Sequence, residues 1–374
     1  MPAMAEEDQR FMELALELAG RGLGCVEPNP MVGAVIVRDG RELARGWHGR
    51  FGGPHAEREA LAAAQAAGAD VRGATMFVTL EPCCHEGKTP PCTDALIAAG
   101  IARVVVAMVD PDEHVAGRGI RKLREAGVEV EVGLCQARAR QLLGPYVKLR
   151  TTRRPWVICK WAQTADGSLA LPAGQGRWIS GEASRQKAHE LRACCDGICV
   201  GSGTVLADDP LLTNRSGSGR QPVRVVLDGR LRTPPECRLL ATAGEGRRVI
   251  VATTAAAVAA DPDRADRLRH GGAELLELPP APGGHGVDLP ALLDELGRRQ
   301  WTRLLVEGGA ELLGSVTRSH LADELWVFVA PGRVATGAEG LPRFDLADLR
   351  DELLLPPPSQ QELGPDVLLR FRLS

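Results

Sequence analysis

The chain lacks any hydrophobic run long enough to cross a membrane. Its 374 residues are 44% hydrophobic, yet no apolar stretch approaches the roughly 18 residues that a spanning helix needs. The N-terminal residues, MPAMAEEDQR, are polar and acidic, whereas a secretory signal begins with basic and then apolar residues. The sequence therefore predicts a cytoplasmic protein with no membrane partner.

The sequence also lacks long runs of basic residues. Its formal net charge is −3, and nearly all of the positive charge comes from arginine. Nucleic-acid-binding surfaces cluster lysine and arginine, so we expect no nucleic acid as the main partner. Ten cysteines in 374 residues do not make a disulfide scaffold, and free or metal-bound thiols are expected in the cytosol.

The length of the chain predicts two domains, because it exceeds the size of a usual single core. The polar segment TTRRP, residues 151–155, ends in proline and is typical of a domain boundary. We therefore expect residues 1–150 and residues 151–374 to fold separately. Short apolar strands alternate with helical patterns in both halves, which predicts an α/β architecture. The last helix of the first half is expected over Cys135–Gly144.

The residues with the clearest chemistry lie between Pro54 and Cys92. His55 and Glu57 open an alanine-rich helical pattern, Cys83 follows an apolar strand, and Cys92 lies near the start of another helix. One imidazole and two thiols suit Zn²⁺, and three protein ligands leave one tetrahedral position for water. Glu57 is close enough to that water to carry its proton to a leaving amine. The pattern therefore predicts a catalytic zinc site.

A closed structural zinc site is the alternative reading of the same stretch. Cys84 or His85 would then supply a fourth ligand and exclude water. Glu57 would have no purpose in such a site, which favours the catalytic interpretation.

The same residues carry a resemblance to a known superfamily. His-Ala-Glu followed by Pro-Cys and a second cysteine resembles the zinc-dependent cytidine deaminases. Two residues usually separate the cysteines in that superfamily, whereas eight separate Cys83 from Cys92 here. With PNPMVGAVIV upstream and VDPDEHVAGRGI downstream, this longer form is similar to the bifunctional deaminase–reductases of riboflavin biosynthesis. The resemblance implies a cytidine-deaminase-like α/β/α layered domain followed by a dihydrofolate-reductase-like α/β domain.

The second half carries KWAQTADGSLAL, GTVLADDPLLTNR and LLVEGGAELLGS, which resemble the reductase half of that family. None of these motifs is the G-x-G-x-x-G of a standard dinucleotide fold. The glycine pair before Ala310 runs from a strand into a helix, where it is either a plain strand–helix turn or a site whose free N–H groups hold a cofactor phosphate. The resemblance implies that NADPH binds Gln163, Trp178, Thr204, Asp208, Gly309, Ala310, Glu311, Leu312, Leu313, Gly314 and Ser315. Gly229 after Asp228 departs from the serine that is frequent in the family.

The substrate implied by the resemblance is a small pyrimidine that carries a ribosyl phosphate. Its contacts would be Asn29 and His48 in the first domain and Lys160, Gly176, Arg192, Leu212, Arg215 and Glu307 in the second. Arg192 and Arg215 are the candidates for the phosphate, because a guanidinium matches phosphate geometry. Lys160 and Glu307 lie on apolar strands, so they either form an ion pair or bind and protonate the opening ribose. The resemblance favours the second role.

The resulting hypothesis is a bifunctional enzyme, expected to be a homo-oligomer. It would deaminate 2,5-diamino-6-ribosylamino-4(3H)-pyrimidinone 5′-phosphate with zinc and then reduce the ribosyl group to ribityl with NADPH. One alternative is a nucleotide or tRNA base deaminase with a non-catalytic second domain. Another is a non-catalytic interaction protein stabilised by zinc. Cys84 and Glu86 depart from the serine and histidine that are usual in the family.

Overall fold

The computed structural model describes residues 2–85, 90–172, 174, 178–244, 246–284, 286–332, 334 and 341–373, with side chains described from residue 6 onward. The chain divides into two compact units, Met1–Arg153 and Arg154–Ser374. In the described parts of both units, no helix is both long and apolar enough to cross a membrane.

Over its described residues, the N-terminal unit is a five-stranded sheet with helices on both faces. Its elements are α1 (Pro2–Gly20), β1 (Gly33–Arg38), β2 (Arg41–Trp47), α2 (Ala56–Ala66), β3 (Thr75–Val78), α3 (Cys92–Ala98), β4 (Arg103–Val106), α4 (Arg118–Glu125), β5 (Glu129–Val132) and α5 (Gln136–Thr152). The strand order is β2-β1-β3-β4-β5. The β1–β2 and β1–β3 pairs are antiparallel, and the other two pairs are parallel.

Two glycines let α1 and α2 approach opposite faces of this sheet. A Cβ atom on Gly33 would lie 2.0 Å from the carbonyl oxygen of Ala15 in α1, and one on Gly46 would lie 2.4 Å from the amide nitrogen of Ala60 in α2. Gly33 pairs with Trp47 across the strands, so Gly33 and Gly46 point to opposite faces. A larger side chain at Gly33 or Gly46 would push the helix away from the sheet. The close packing of α1 and α2 on the sheet therefore requires glycine at these two positions.

The C-terminal unit is built on a nine-stranded sheet, as counted over its described residues. Its elements are β6 (Trp156–Thr164), α6 (Glu182–Ala193), β7 (Gly197–Gly201), α7 (Ser202–Asp208), β8 (Val223–Leu227), α8 (Arg238–Ala241), β9 (Val249–Thr253), α9 (Ala255–Ala260), α10 (Pro262–His270), β10 (Ala273–Glu277), α11 (Leu289–Arg298), β11 (Arg303–Glu307), α12 (Ala310–Arg318), β12 (Glu324–Ala330), α13 (Leu346–Leu353), β13 (Ser359–Leu363) and β14 (Asp366–Arg372). The strand order is β10-β9-β8-β7-β11-β6-β12-β14-β13.

Two hydrophobic cores cover the two faces of this larger sheet. Alternate residues of β6 show the division, since Val157 and Cys159 belong to one core and Trp156 and Ile158 to the other. All strands from β10 to β12 in the sheet order run parallel, so their carboxyl ends share one edge. Ligands of open parallel sheets bind at that edge, and β6 and β11 deliver Lys160 and Glu307 near it.

Helix α5 is longer than the sequence predicts. The expected helix ended at Gly144, but α5 continues through Pro145 to Thr152. Pro145 has no backbone N–H to donate, so the helix loses one hydrogen bond at this turn. Burial of Gly144, Pro145 and Tyr146 stabilises the helix there. The polar segment that was expected to begin a linker therefore begins inside a helix, and the compact unit ends at Arg153 rather than at residue 150.

Candidate active sites

The N-terminal unit brings three potential metal ligands together from three different elements. His55 is the N-cap residue of α2, Cys92 is the first residue of α3, and Cys83 follows the end of β3. The prediction that His55 and Cys92 lie at helix N-termini is confirmed. The positive end of a helix favours a thiolate over a thiol, so this placement suits metal binding.

The donor atoms of these residues lie within 4.8 Å of one another. Nδ1 of His55 is 3.6 Å from Sγ of Cys83 and 3.4 Å from Sγ of Cys92. The backbone N–H of Cys92 donates to Sγ of Cys83 over 3.3 Å. A borderline nitrogen and two soft sulfurs at this spacing fit Zn²⁺.

Cys83 and Cys92 differ in how easily their thiols lose a proton. A hydrogen bond from Cys92, together with one from His55, lowers the pKa of Cys83 to about 4, against the opposing effect of burial. The hydrogen bond with Cys83 and burial raise the pKa of Cys92. The hydrogen bond to Cys83 also raises the pKa of His55. These contacts favour the thiolate of Cys83, the form in which cysteine binds metal.

Glu57 lies in the first turn of α2, directed at the same cluster. Its side chain is buried and hydrogen-bonds the Cys92 thiol. Burial, with the neighbouring Cys83 charge, raises the pKa of Glu57 to about 7. A carboxyl group with that pKa accepts and donates protons near neutrality, as a general acid–base requires.

Asn29 and His48 form a second polar group beside the cluster. Nε2 of His48 is 3.3 Å from Nδ2 of Asn29, and its Nδ1 is 2.8 Å from the carbonyl oxygen of Pro54. The His48 ring meets the His55 ring edge-on, with centroids 5.4 Å apart. Burial lowers the pKa of His48, so a neutral ring orients the Asn29 amide. The structure thus brings both predicted pyrimidine contacts close to His55.

The closed-site alternative lacks a fourth protein ligand in the part of the chain that the structure describes. Cys84 and His85 do not join the cluster of His55, Cys83 and Cys92. Glu86 lies outside the described residues.

Sequence reasoning missed Glu81, which fixes the segment that carries Cys83. Its buried carboxylate accepts four backbone N–H groups: Oε1 accepts from Gly119 and Ile120 at 2.8 and 3.2 Å, and Oε2 from Asp110 and Gly117 at 3.2 and 2.8 Å. The signal was a charged residue at the end of an apolar strand, directly before Pro82-Cys83. Such a charge must be paired, but the sequence does not show with what.

The C-terminal unit contains a cleft of about 1880 Å³. Ligand sites for single small molecules are usually about 300–1,000 Å³, so this cleft has room for a dinucleotide and a substrate. Most of the predicted reductase residues line it: Lys160, Trp178, Arg192, Thr204, Asp208, Leu212, Arg215, Glu307, Gly309, Ala310, Glu311, Leu312, Gly314 and Ser315.

The N-terminus of α12 opens into this cleft. Gly309 is the N-cap of α12 and no side chain caps the helix. A Cβ atom on Gly309 would meet nothing within 4 Å. Exposed N–H groups at a helix start bind phosphate, so the turn fits the pyrophosphate of a nicotinamide cofactor.

Two predicted residues, Gln163 and Leu313, do not line the cleft. Gln163 is buried on β6, where its Oε1 accepts a hydrogen bond of 2.8 Å from the Trp161 indole. Leu313 is fully buried in the core beneath α12. Both point away because alternate strand residues and the inner helix face serve the core. Gly176 lies outside the described residues.

Three charged side chains converge where β6, α6 and β11 meet. Glu307 accepts two hydrogen bonds from Arg192, at 2.9 and 2.8 Å, and lies 3.7 Å from Nζ of Lys160. Burial alone would raise the pKa of Glu307, but Arg192 and Lys160 lower it to about 2. Burial lowers the pKa of Lys160. The ion pair between Lys160 and Glu307 is therefore present, with Arg192 as the stronger partner.

The fold and the two sites define a zinc-type deaminase domain followed by a reductase domain with a cofactor-sized cleft. Residues 5–108 match the cytidine and deoxycytidylate deaminase zinc-binding region, and residues 155–369 match the RibD C-terminal domain. The chain is 40% identical to riboflavin biosynthesis protein RibD of Actinobacillus pleuropneumoniae, covering 97% of this chain and 95% of that protein. It is 39% identical to RibD of Escherichia coli K12, with 98% and 99% covered.

Solved structures agree over the full length. Acinetobacter baumannii RibD aligns with a TM-score of 0.83 at 37% identity, covering 98% of this chain and 99% of that chain. A diaminohydroxyphosphoribosylaminopyrimidine deaminase/5-amino-6-(5-phosphoribosylamino)uracil reductase from Thermotoga maritima aligns with a TM-score of 0.79 at 36% identity, covering 99% of both chains. The chain belongs to the RibD family of bifunctional riboflavin biosynthesis enzymes. These matches do not favour a lone base deaminase with a non-catalytic second domain.

Proposed function

We propose that the chain deaminates 2,5-diamino-6-ribosylamino-4(3H)-pyrimidinone 5′-phosphate and then reduces the ribosyl group of the product to a ribityl chain. The first reaction belongs to the N-terminal unit, Met1–Arg153, and the second, with NADPH, to the C-terminal unit, Arg154–Ser374. The protein works as a cytoplasmic homo-oligomer, with neither nucleic acid nor membrane as a partner.

In the deaminase, His55, Cys83 and Cys92 would hold zinc, which supplies a water with a pKa lowered to ~7. Glu57 is the buried carboxyl beside that position. It takes the proton of the attacking water and passes it to the leaving amine, so that ammonia departs uncharged. Asn29, oriented by His48, holds the pyrimidine ring.

In the reductase, Trp178, Thr204, Asp208 and the start of α12 would hold NADPH, which supplies the hydride for C1′ of the ribosyl group. Lys160 has the lowered pKa of a buried cation and gives up a proton to the ribose as its ring opens. Glu307 holds Lys160, and Arg192 holds Glu307.

The observation that carries this proposal is the joint placement of the cluster and Glu57. Three donors of zinc type lie within 4.8 Å of one another, and a buried carboxyl hydrogen-bonds one of them. A structural zinc site has no use for such a carboxyl.

The test is a two-stage assay of the purified full chain. Ammonia release from the diaminopyrimidinone ribosylamino phosphate should not require NADPH. NADPH oxidation should require the deaminated product and consume one equivalent per ribosyl group. Ammonia release without NADPH oxidation would refute the reductase half, and oxidation of NADH at an equal rate would refute the choice of cofactor. Light scattering tests the homo-oligomer, which a single-chain mass would exclude.

A further inference from the structure

His189 belongs to the cleft of the C-terminal unit but has no role in the function described so far. It lies on α6 and lines the cleft. Its Nδ1 is 3.3 Å from the backbone nitrogen of Arg215, and its Nε2 is 3.3 Å from Nε of Arg215. The ring therefore contacts both the main chain and the guanidinium of one residue.

Arg192 lies one turn further along α6, and its guanidinium is already committed. Nε and Nη2 donate to Glu307, while Nη1 donates to the carbonyl oxygen of Thr213 at 3.1 Å. Arg192 is also largely buried, with 13% of its side chain exposed. It thus anchors Glu307 and the segment before Arg215. Arg215 is exposed and is better placed than Arg192 to meet a ligand in the cleft.

The surroundings of His189 keep its ring uncharged. Arg192 faces it from α6, Arg215 from the segment after α7, and Glu307 from β11 with Lys160 behind it. Burial and the two arginines lower the pKa of His189 to about 4, against the opposing effect of Glu307. A neutral ring has a lone pair with which to accept from a guanidinium.

We propose that His189 is a positioning residue for the substrate phosphate: its neutral ring accepts from Nε of Arg215 and holds that guanidinium toward the cleft. The proposal rests on the proposed reductase function and adds to it the residue that orients the phosphate-binding arginine. A protonated ring would have no lone pair for Arg215, so His189 acts in its uncharged form.

Kinetics separate positioning from chemistry. His189→Ala should raise the reductase KM for the deaminated phosphorylated substrate about tenfold, the usual effect of losing a hydrogen bond to a charged group. Its kcat should stay within about twofold. His189→Gln should restore the KM to within about twofold of the wild-type value, because the glutamine amide oxygen also accepts from Arg215. His270→Gln is the matched control, since His270 is exposed on α10 and bonds Asp266 of its own helix.

An unchanged KM in His189→Ala would overturn the proposal, as would a KM in His189→Gln as high as that of His189→Ala. These outcomes differ from failure of the proposed function, in which the wild-type chain would not oxidise NADPH with the deaminated substrate at all. Ammonia release by each variant checks that the chain is intact.

Discussion

Glu57 occupies a position where a carboxylate is costly to keep charged. It is 3% exposed, and its pKa is raised to about 7. Glu57→Gln preserves the shape of the side chain and leaves His55, Cys83 and Cys92 in place. We expect the variant to retain one zinc per chain and to lose at least ~10²-fold in kcat for ammonia release, because general acid–base roles contribute ~10²–10⁴-fold.

Metal analysis and steady-state ammonia release on the same preparation measure these two quantities. Glu59→Gln is the matched control, since Glu59 lies two residues further along α2 and is exposed. Turnover within about tenfold of wild type in Glu57→Gln would contradict the acid–base role.

Glu307 makes the reductase site sensitive to acid. Its pKa is about 2 in the folded protein and ~4.3 in an unfolded chain. The carboxylate therefore stabilises the fold above the unfolded value, and this stabilisation is lost as pH falls from about 4.3 toward 2. Glu307→Gln should lower the free energy of unfolding by about 3 kcal/mol at pH 7, since it leaves two buried cations unpaired. The difference from wild type should shrink toward pH 2.

Urea unfolding followed by tryptophan fluorescence across this pH range measures the effect. Asp294→Asn is a suitable control, because Asp294 is 53% exposed and pairs with Arg154 at the surface, where such pairs contribute at most about 1 kcal/mol. A difference that is constant with pH would show that the Glu307 charge does not carry the stabilisation.

At the scale of elements, Glu81 joins the end of β3 to the start of α4. Its two oxygens each accept two backbone N–H groups from the segment 110–120, and Cys83 is two residues away. Tyr146 of α5 reinforces this segment through a 2.9 Å hydrogen bond to Asp110. The segment that carries Cys83 is thereby tied to the start of α4 through the Glu81 carboxylate and, through Asp110, to α5.

Glu81→Gln should destabilise this arrangement, because an NH₂ group would replace one acceptor and face two N–H donors. We expect a loss of about 3 kcal/mol in stability and at least a tenfold fall in ammonia release, with reduction of the deaminated substrate retained. Thermal unfolding and the two separate assays report these effects. Glu125→Gln, exposed on α4, should change neither. Equal loss of both activities would mean that Glu81 serves the whole fold.

At the scale of the molecule, the metal ligands and the reductase cleft belong to separate compact units. Removing zinc with a chelator should abolish ammonia release. The NADPH-dependent reduction of a supplied deaminated substrate should persist at more than half its rate. Re-addition of zinc should restore the first activity, since the metal and its ligands form one site. Parallel loss of both activities on chelation would contradict the assignment of zinc to the deaminase alone.

The sequence alone determined the alternation of strands and helices, the order of the domains and the convergence of His55, Cys83 and Cys92. The strand and helix predictions rest on local hydrophobic periodicity. The prediction of the metal-ligand cluster rests on histidine and cysteine, whose side chains are typical zinc ligands. Elements without an apolar pattern escaped prediction: α9 has no buried residue, and β13 is an almost wholly exposed edge strand. The continuation of α5 through Pro145 also escaped, because buried packing overrode the local effect of proline.

Only the tertiary structure decided which hydrogen-bond and ion-pair partners the charged and polar residues have. Glu81 meets backbone groups 29 to 39 residues away, Arg192 meets Glu307 across 115 residues, and His189 meets Arg215 across 26. A charged residue within an apolar strand shows, from the sequence alone, that a buried charge needs a partner. The choice of partner depends on which side chains the packed sheet brings within about 3 Å of each other. The number of residues between two side chains along the sequence does not give the distance between them in the fold.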